Sequence, residues 1–61
     1  MLVGIILELD IVGGSTDVTI RKDGETVAEG NWYLDEIQAH VTDMAKSFMW
    51  QDNDKVFIDL A

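Results

Sequence analysis

Apolar and polar positions alternate at the two ends of this chain and recur at helical spacing in between. Over residues 2–12, Ile5, Leu7, Leu9 and Ile11 take one side and Ile6, Glu8, Asp10 and Val12 the other, a period of two that predicts a strand with one dry face. Gly13, Gly14, Ser15 and Thr16 supply a reversal. Residues 17–22 form the second predicted strand, with Val18 opposite Ile11 and Ile20 opposite Leu9. Lys22, Asp23 and Gly24 signal a hairpin. A two-residue turn there would set Val18 beside Glu29, whereas a three-residue loop pairs Val18 with Ala28 and Arg21 with Glu25. The longer loop is therefore expected, with Thr26, Ala28 and Gly30 inward on a third strand. Leu34, Ile37, Val41, Met44, Ala45 and Phe48 then fall at intervals of three and four, one stripe of a helix. Asn31 is its expected cap and Met49 marks its end. Asp35 and Glu36 stand near the positive end of its dipole and Lys46 near the negative end. After an exit turn at residues 51–54, Val56, Ile58 and Leu60 alternate against Phe57 and Asp59 in a fourth strand. The expected fold is α+β, a single domain over residues 1–61. Its four-stranded sheet follows the order β-β-β-α-β with the strands arranged 3-2-1-4, the last parallel to the first, and one helix covers one face.

Charge changes this picture more than any motif does. Twelve Asp and Glu against four Lys and Arg leave a formal net charge of −8 on 61 residues. Such a field repels nucleic acid and anionic membranes and attracts basic protein surfaces at range. Apolar residues make up 48% of the chain, which argues for a folded domain over an acidic disordered tail. The absence of cysteine excludes a disulfide framework and a thiolate metal site, and points to a cytoplasmic setting. The apolar opening has no basic residue before it, and Glu8 and Asp10 interrupt it, so neither a signal peptide nor a membrane span is expected.

The face of the predicted sheet opposite the helix would display Ile6, Glu8, Asp10, Asp17, Thr19, Arg21, Glu25, Val27, Glu29, Phe57 and Asp59. On such a face carboxylates stand about 6.7 Å apart along a strand and about 4.8 Å apart between strands, a scale comparable to nucleic-acid phosphates. Glu8, Asp10, Asp17, Glu25, Glu29 and Asp59 are the candidate charged contacts, and Ile6, Val27 and Phe57 the apolar anchors beside them. The exposed side of the predicted helix offers a second acidic surface in Asp35, Glu36 and Asp43. Trp32 is expected to cap the core, while Trp50 could serve either core or surface.

Enzyme chemistry finds no constellation. The single histidine, His40, has Glu36 one turn earlier but no activated nucleophile. Asp52, Asn53 and Asp54 resemble the start of a calcium loop, yet Val56 and Phe57 occupy a ligand position and the required glycine. No metal or cofactor is expected, and the four basic residues form no nucleic-acid patch.

In size, charge and a sheet bearing one helix, the chain resembles the small phage-encoded inhibitors that mimic DNA, among them anti-CRISPR proteins and uracil-DNA glycosylase inhibitors. That resemblance implies a non-enzymatic blocker that occupies the nucleic-acid site of a basic host complex, a CRISPR effector first. The order β-β-β-α-β is also similar to the small antitoxins with a partial ribonuclease-H-like fold, although the proline-containing segment usual after their second strand is missing. Apart from either likeness, the competing reading is a homo-oligomerising structural or interaction module in which Ile6, Val27 and Phe57, or an open sheet edge, bind a second copy of the chain; as an inhibitor the chain would be a monomer or a homodimer.

Overall fold

Val3, Ile6 and Leu7 recur at intervals of three and four as well as lying in an alternating run, and in the folded chain the helical spacing prevails. A computed structural model describes residues 1–51 and 54–61. Among these, the chain forms α1 (Val3–Leu7), β1 (Asp17–Lys22), β2 (Glu25–Gly30), α2 (Asp35–Gln38), β3 (Ala45–Gln51) and β4 (Lys55–Leu60). The strands join in one mixed sheet of order β2-β1-β4-β3. β1 is antiparallel to β2 and parallel to β4, and β3 is antiparallel to β4. The α+β class holds, but the expected arrangement 3-2-1-4 does not. The place beside β1 assigned to residues 2–12 is taken by β4, and the edge beyond it by β3.

The hairpin of β1 and β2 closes through Asp23 (φ 53°) and Gly24 (φ 82°), a two-residue turn whose two positive φ values match the right-handed twist of the strands. This corrects the expected three-residue loop. Lys22 pairs with Glu25 and Arg21 with Thr26, then a register shift brings Ala28 opposite Ile20 and Gly30 opposite Val18. The bulge at Val27 removes the conflict that disfavoured the short turn, because Val18 no longer meets Glu29. The predicted inward placement of Ala28 is retained.

The long helix expected from a cap at Asn31 to an end near Met49 is absent. Only Asp35–Gln38 is helical, its N-cap is Leu34 without a side-chain cap bond, and Asn31 instead donates from Nδ2 to the Gly14 carbonyl at 2.6 Å. Ala45–Gln51 runs extended against β4, with Phe48 opposite Ile58, Met49 opposite Phe57 and Trp50 opposite Val56. The aromatic side chains of Phe48 and Trp50 suit a pleated strand, and a partner close in sequence makes this pairing entropically cheap. The exit turn read at residues 51–54 falls partly on Asp52 and Asn53, which lie outside the described residues.

One layer covers the sheet. Val3, Ile6, Leu7 and Ile37 from the helical side meet Val18, Ile20, Ala28, Ala45, Val56 and Ile58 in a single buried cluster. The approach is close at Gly4, whose N–H donates to the Val41 carbonyl at 3.0 Å and where a Cβ would stand 3.1 Å from the Val41 oxygen. The chain between α1 and β1 is anchored to the turn before β4. Asp54 accepts from the Ser15 and Thr16 hydroxyls, each at 2.8 Å, and its carbonyl accepts from the Asp17 N–H at 2.9 Å. Thr16, fully buried, also accepts from the Gly13 N–H.

Candidate protein-binding groove

α1 and the residues flanking it carry two apolar stripes. Val3, Ile6 and Leu7 point into the core, while Leu2, Ile5 and Leu9, again spaced by three and four, remain exposed. An exposure of 0% for Ile6 against 49% for its neighbour Ile5 fixes the helix's orientation. The expected surface anchor Ile6 is thus a core residue. The period-two reading had placed it outward, and a helical turn rotates it inward.

Leu2, Ile5 and Leu9 form one wall of an open groove of about 860 Å³, and Trp32 and Val41 contribute from the chain around α2. Glu8 and Asp10 also line it. Their positions follow from the turns that end α1, in which the Glu8 N–H donates to the Ile5 carbonyl at 3.2 Å and the Leu9 N–H to the Ile6 carbonyl at 3.1 Å. Among the described residues neither carboxylate takes part in a salt bridge. Gln38 reaches from α2 into the same groove and donates from Nε2 to the Trp32 carbonyl at 2.6 Å. The Trp32 indole meets the Tyr33 ring edge-on, with centroids 5.8 Å apart. Trp32 was expected to cap the core, but it stands at the groove, 40% exposed.

The open face of the sheet is a different surface from the acidic array expected there. Glu8 and Asp10 are not on it, because residues 2–12 are not in the sheet. Val27 leaves it as well, since the bulge turns this residue toward a shallow pocket shared with His40, Met44 and Leu60. Glu25 lies at the hairpin end opposite Lys22. Asp17, Glu29, Phe57 and Asp59 do share the open face, and each of them is answered by a neighbour. Arg21 grips Asp59 with two bonds, Nε to Oδ1 at 2.9 Å and Nη2 to Oδ2 at 3.2 Å, and its guanidinium carbon stands 4.8 Å from the centroid of the Phe57 ring. Lys55 lies 4.0 Å from Asp17. Glu29 accepts from the Thr19 hydroxyl at 3.2 Å. Cations interleaved with carboxylates make this face a mixed-charge surface.

Nor does the second acidic surface lie along one helix. Asp35 and Glu36 occupy the first turn of α2. Asp43 follows that helix and bonds His40, with Oδ2 and Nδ1 2.8 Å apart. Among the described residues no group of three or more His, Asp and Glu side chains is placed to hold a metal ion, and no helix is long and apolar enough to cross a membrane.

A strand over residues 2–12 would send Ile5 and Leu9 into the core, so the period of two in the sequence does not reveal the groove. The available signal was the helical spacing of Leu2, Ile5 and Leu9 beside that of Val3, Ile6 and Leu7. No protein-family model, curated protein or solved structure matches the chain.

Proposed function

We propose that the protein is a non-enzymatic acidic inhibitor that docks by its groove onto a basic, nucleic-acid-binding surface of a larger complex. One observation carries this reading: the groove sets exposed Leu2, Ile5, Leu9 and Trp32 beside Glu8 and Asp10, two carboxylates with no basic partner among the described residues. Apolar anchors supply affinity when buried in a partner's pocket, and aromatic residues such as Trp32 are enriched among those that dominate binding. The net charge of −8 speeds encounter with a cationic surface. The choice of a CRISPR effector in the cytoplasm rests on this charge and on the resemblance to the small DNA-mimic inhibitors. The open sheet face is the poorer docking surface, because a partner's cations would compete there with Arg21 and Lys55 for Asp59 and Asp17.

The test is competition. Added to a guide-loaded CRISPR effector, and in parallel to a uracil-DNA glycosylase, the protein is expected to displace DNA from the first, with an association rate that falls steeply as salt rises. Replacing Glu8 with Gln and Asp10 with Asn together should slow association several-fold at low salt. Ile5→Ser should speed dissociation. Displacement from the glycosylase alone would transfer the reading to that class, and displacement from neither would overturn it.

A further inference from the structure

The two edges of the sheet are built differently. β2 is guarded in the ways that keep strand edges from pairing. It carries Glu25 and Glu29, a bulge at Val27 and a glycine at φ 140° at its end. β3 lacks most of these. The start of the chain covers only its foot, where Leu2 bridges Met44 and the Ala45 N–H donates to the Met1 carbonyl at 2.7 Å. Beyond this, a register shift between Ala45 and Ser47 and a single charge, Lys46, are its only guards. From Ser47 to Gln51 the strand has no charged residue. No strand among the described residues pairs with its outer edge. Phe48, Met49 and Trp50 are 40%, 53% and 39% exposed along it.

From this asymmetry we infer that β3 is the edge by which two copies of this chain join, antiparallel about a twofold axis near Phe48, into one eight-stranded sheet. Charge selects the edge, and a register about Phe48 that is complementary to itself selects a second copy as the occupant. Two chains at −8 repel, and they meet most readily where no carboxylate projects. Residues 44–51 hold none and carry one lysine. Antiparallel pairing at β2 would set Glu25 of each copy opposite Glu29 of the other, a like-charge cross-strand pair. At β3, pairing centred on Phe48 sets the two Phe48 rings side by side and Lys46 of each copy opposite Trp50 of the other, an aromatic pair and two cation–π contacts. Phe48 and Trp50 share a face with Ile58 and Val56, so the apolar layer continues across the junction. Met49 covers the other face beside Phe57. Eight strands lie within the usual size of a twisted open sheet.

Sedimentation equilibrium over a wide concentration range tests the inference. The mass is expected to rise with concentration from 6.8 kDa toward twice that value, and to do so at lower concentration in high salt, because screening weakens repulsion between like-charged copies. This salt dependence is opposite in sign to that expected for a basic partner, so the two readings fail separately. Phe48→Lys should raise the concentration needed for association by about tenfold or more, while Thr26→Ser on the other edge, which alters no charge, leaves it unchanged. Amide exchange on the unmodified protein provides a readout independent of any variant. Protection should grow with concentration over residues 46–51 and not over residues 25–30. A mass of 6.8 kDa at every concentration and salt, a dimer indifferent to Phe48→Lys, or protection gained at β2 would each overturn the inference.

Discussion

Asp54 shows how much one side chain can hold in so small a fold. It adopts φ 58°, a conformation that costs most residues energy but that Asp and Asn tolerate. In return its carboxylate joins the Ser15 and Thr16 hydroxyls to the start of β4. Asp54→Ala removes both acceptors and leaves the buried Thr16 hydroxyl without its own, an expected loss of about 1–3 kcal/mol in urea unfolding. Asp54→Asn should lose less, since its amide oxygen still accepts one hydroxyl and its backbone tolerates the positive φ. The glycines offer a matched contrast. A Cβ on Gly30 would collide with Leu34 Cδ1 at a φ of 140°, so Gly30→Ala is expected to destabilise by at least about 1 kcal/mol. Gly14 has open space around it, and Gly14→Ala should leave the urea midpoint almost unchanged.

At the scale of elements, the opening segment separates the two architectures experimentally. As a strand it would bury Ile5 and expose Ile6; as α1 it does the reverse. Ile6→Ala is therefore expected to cost about 2–5 kcal/mol, the range for a large aliphatic residue removed from a core, while Ile5→Ala stays within about 0.5 kcal/mol. Parallel urea titrations of the two variants check this, and the opposite ranking would return the segment to the sheet. α1 and α2 are five and four residues long, too short to persist by helix propensity. They are held by what they bury: Val3, Ile6 and Leu7 in one case, Ile37 in the other. The misread stripe from Leu34 to Phe48 has the same origin. Its first members do follow a helical turn, but Ala45 and Phe48 keep their apolar spacing while belonging to a strand.

Across the whole molecule, charge acts on stability and on association together. With twelve acids and four bases on 61 residues, repulsion within the folded chain exceeds what Arg21–Asp59 and Lys55–Asp17, both partly exposed, can offset. Raising sodium chloride from low to moderate concentration should therefore increase the melting temperature, measured by circular dichroism. A melting temperature that falls with salt would show that specific ion pairs outweigh the general field. The carboxylates do not gather on one face. Asp17, Glu29 and Asp59 share the open face with two cations, Glu8 and Asp10 line the groove, and Asp35 and Glu36 open α2. In the groove, carboxylates without a salt bridge among the described residues meet exposed apolar surface.

The charge, the α+β class, the hairpin of β1 and β2 and the facing of β4, with Val56 and Ile58 inward and Phe57 and Asp59 outward, are all legible in the order of the residues. These properties are local: a turn signal, a strict alternation and a count of ionisable groups need no distant partner to be read. The state of the opening segment and the identity of the strand beside β1 depend instead on packing between distant parts of the chain. Leu2, Val3, Ile5, Ile6, Leu7, Leu9 and Ile11 are so densely apolar that periods of two and of 3.6 residues both fit them. The choice passed to the rest of the chain, where β3 folds back on β4 and β4 completes the ladder along β1. With the sheet filled, the opening segment covers its bare face as a helix, turning Ile6 inward and leaving Ile5, Glu8 and Asp10 at the groove.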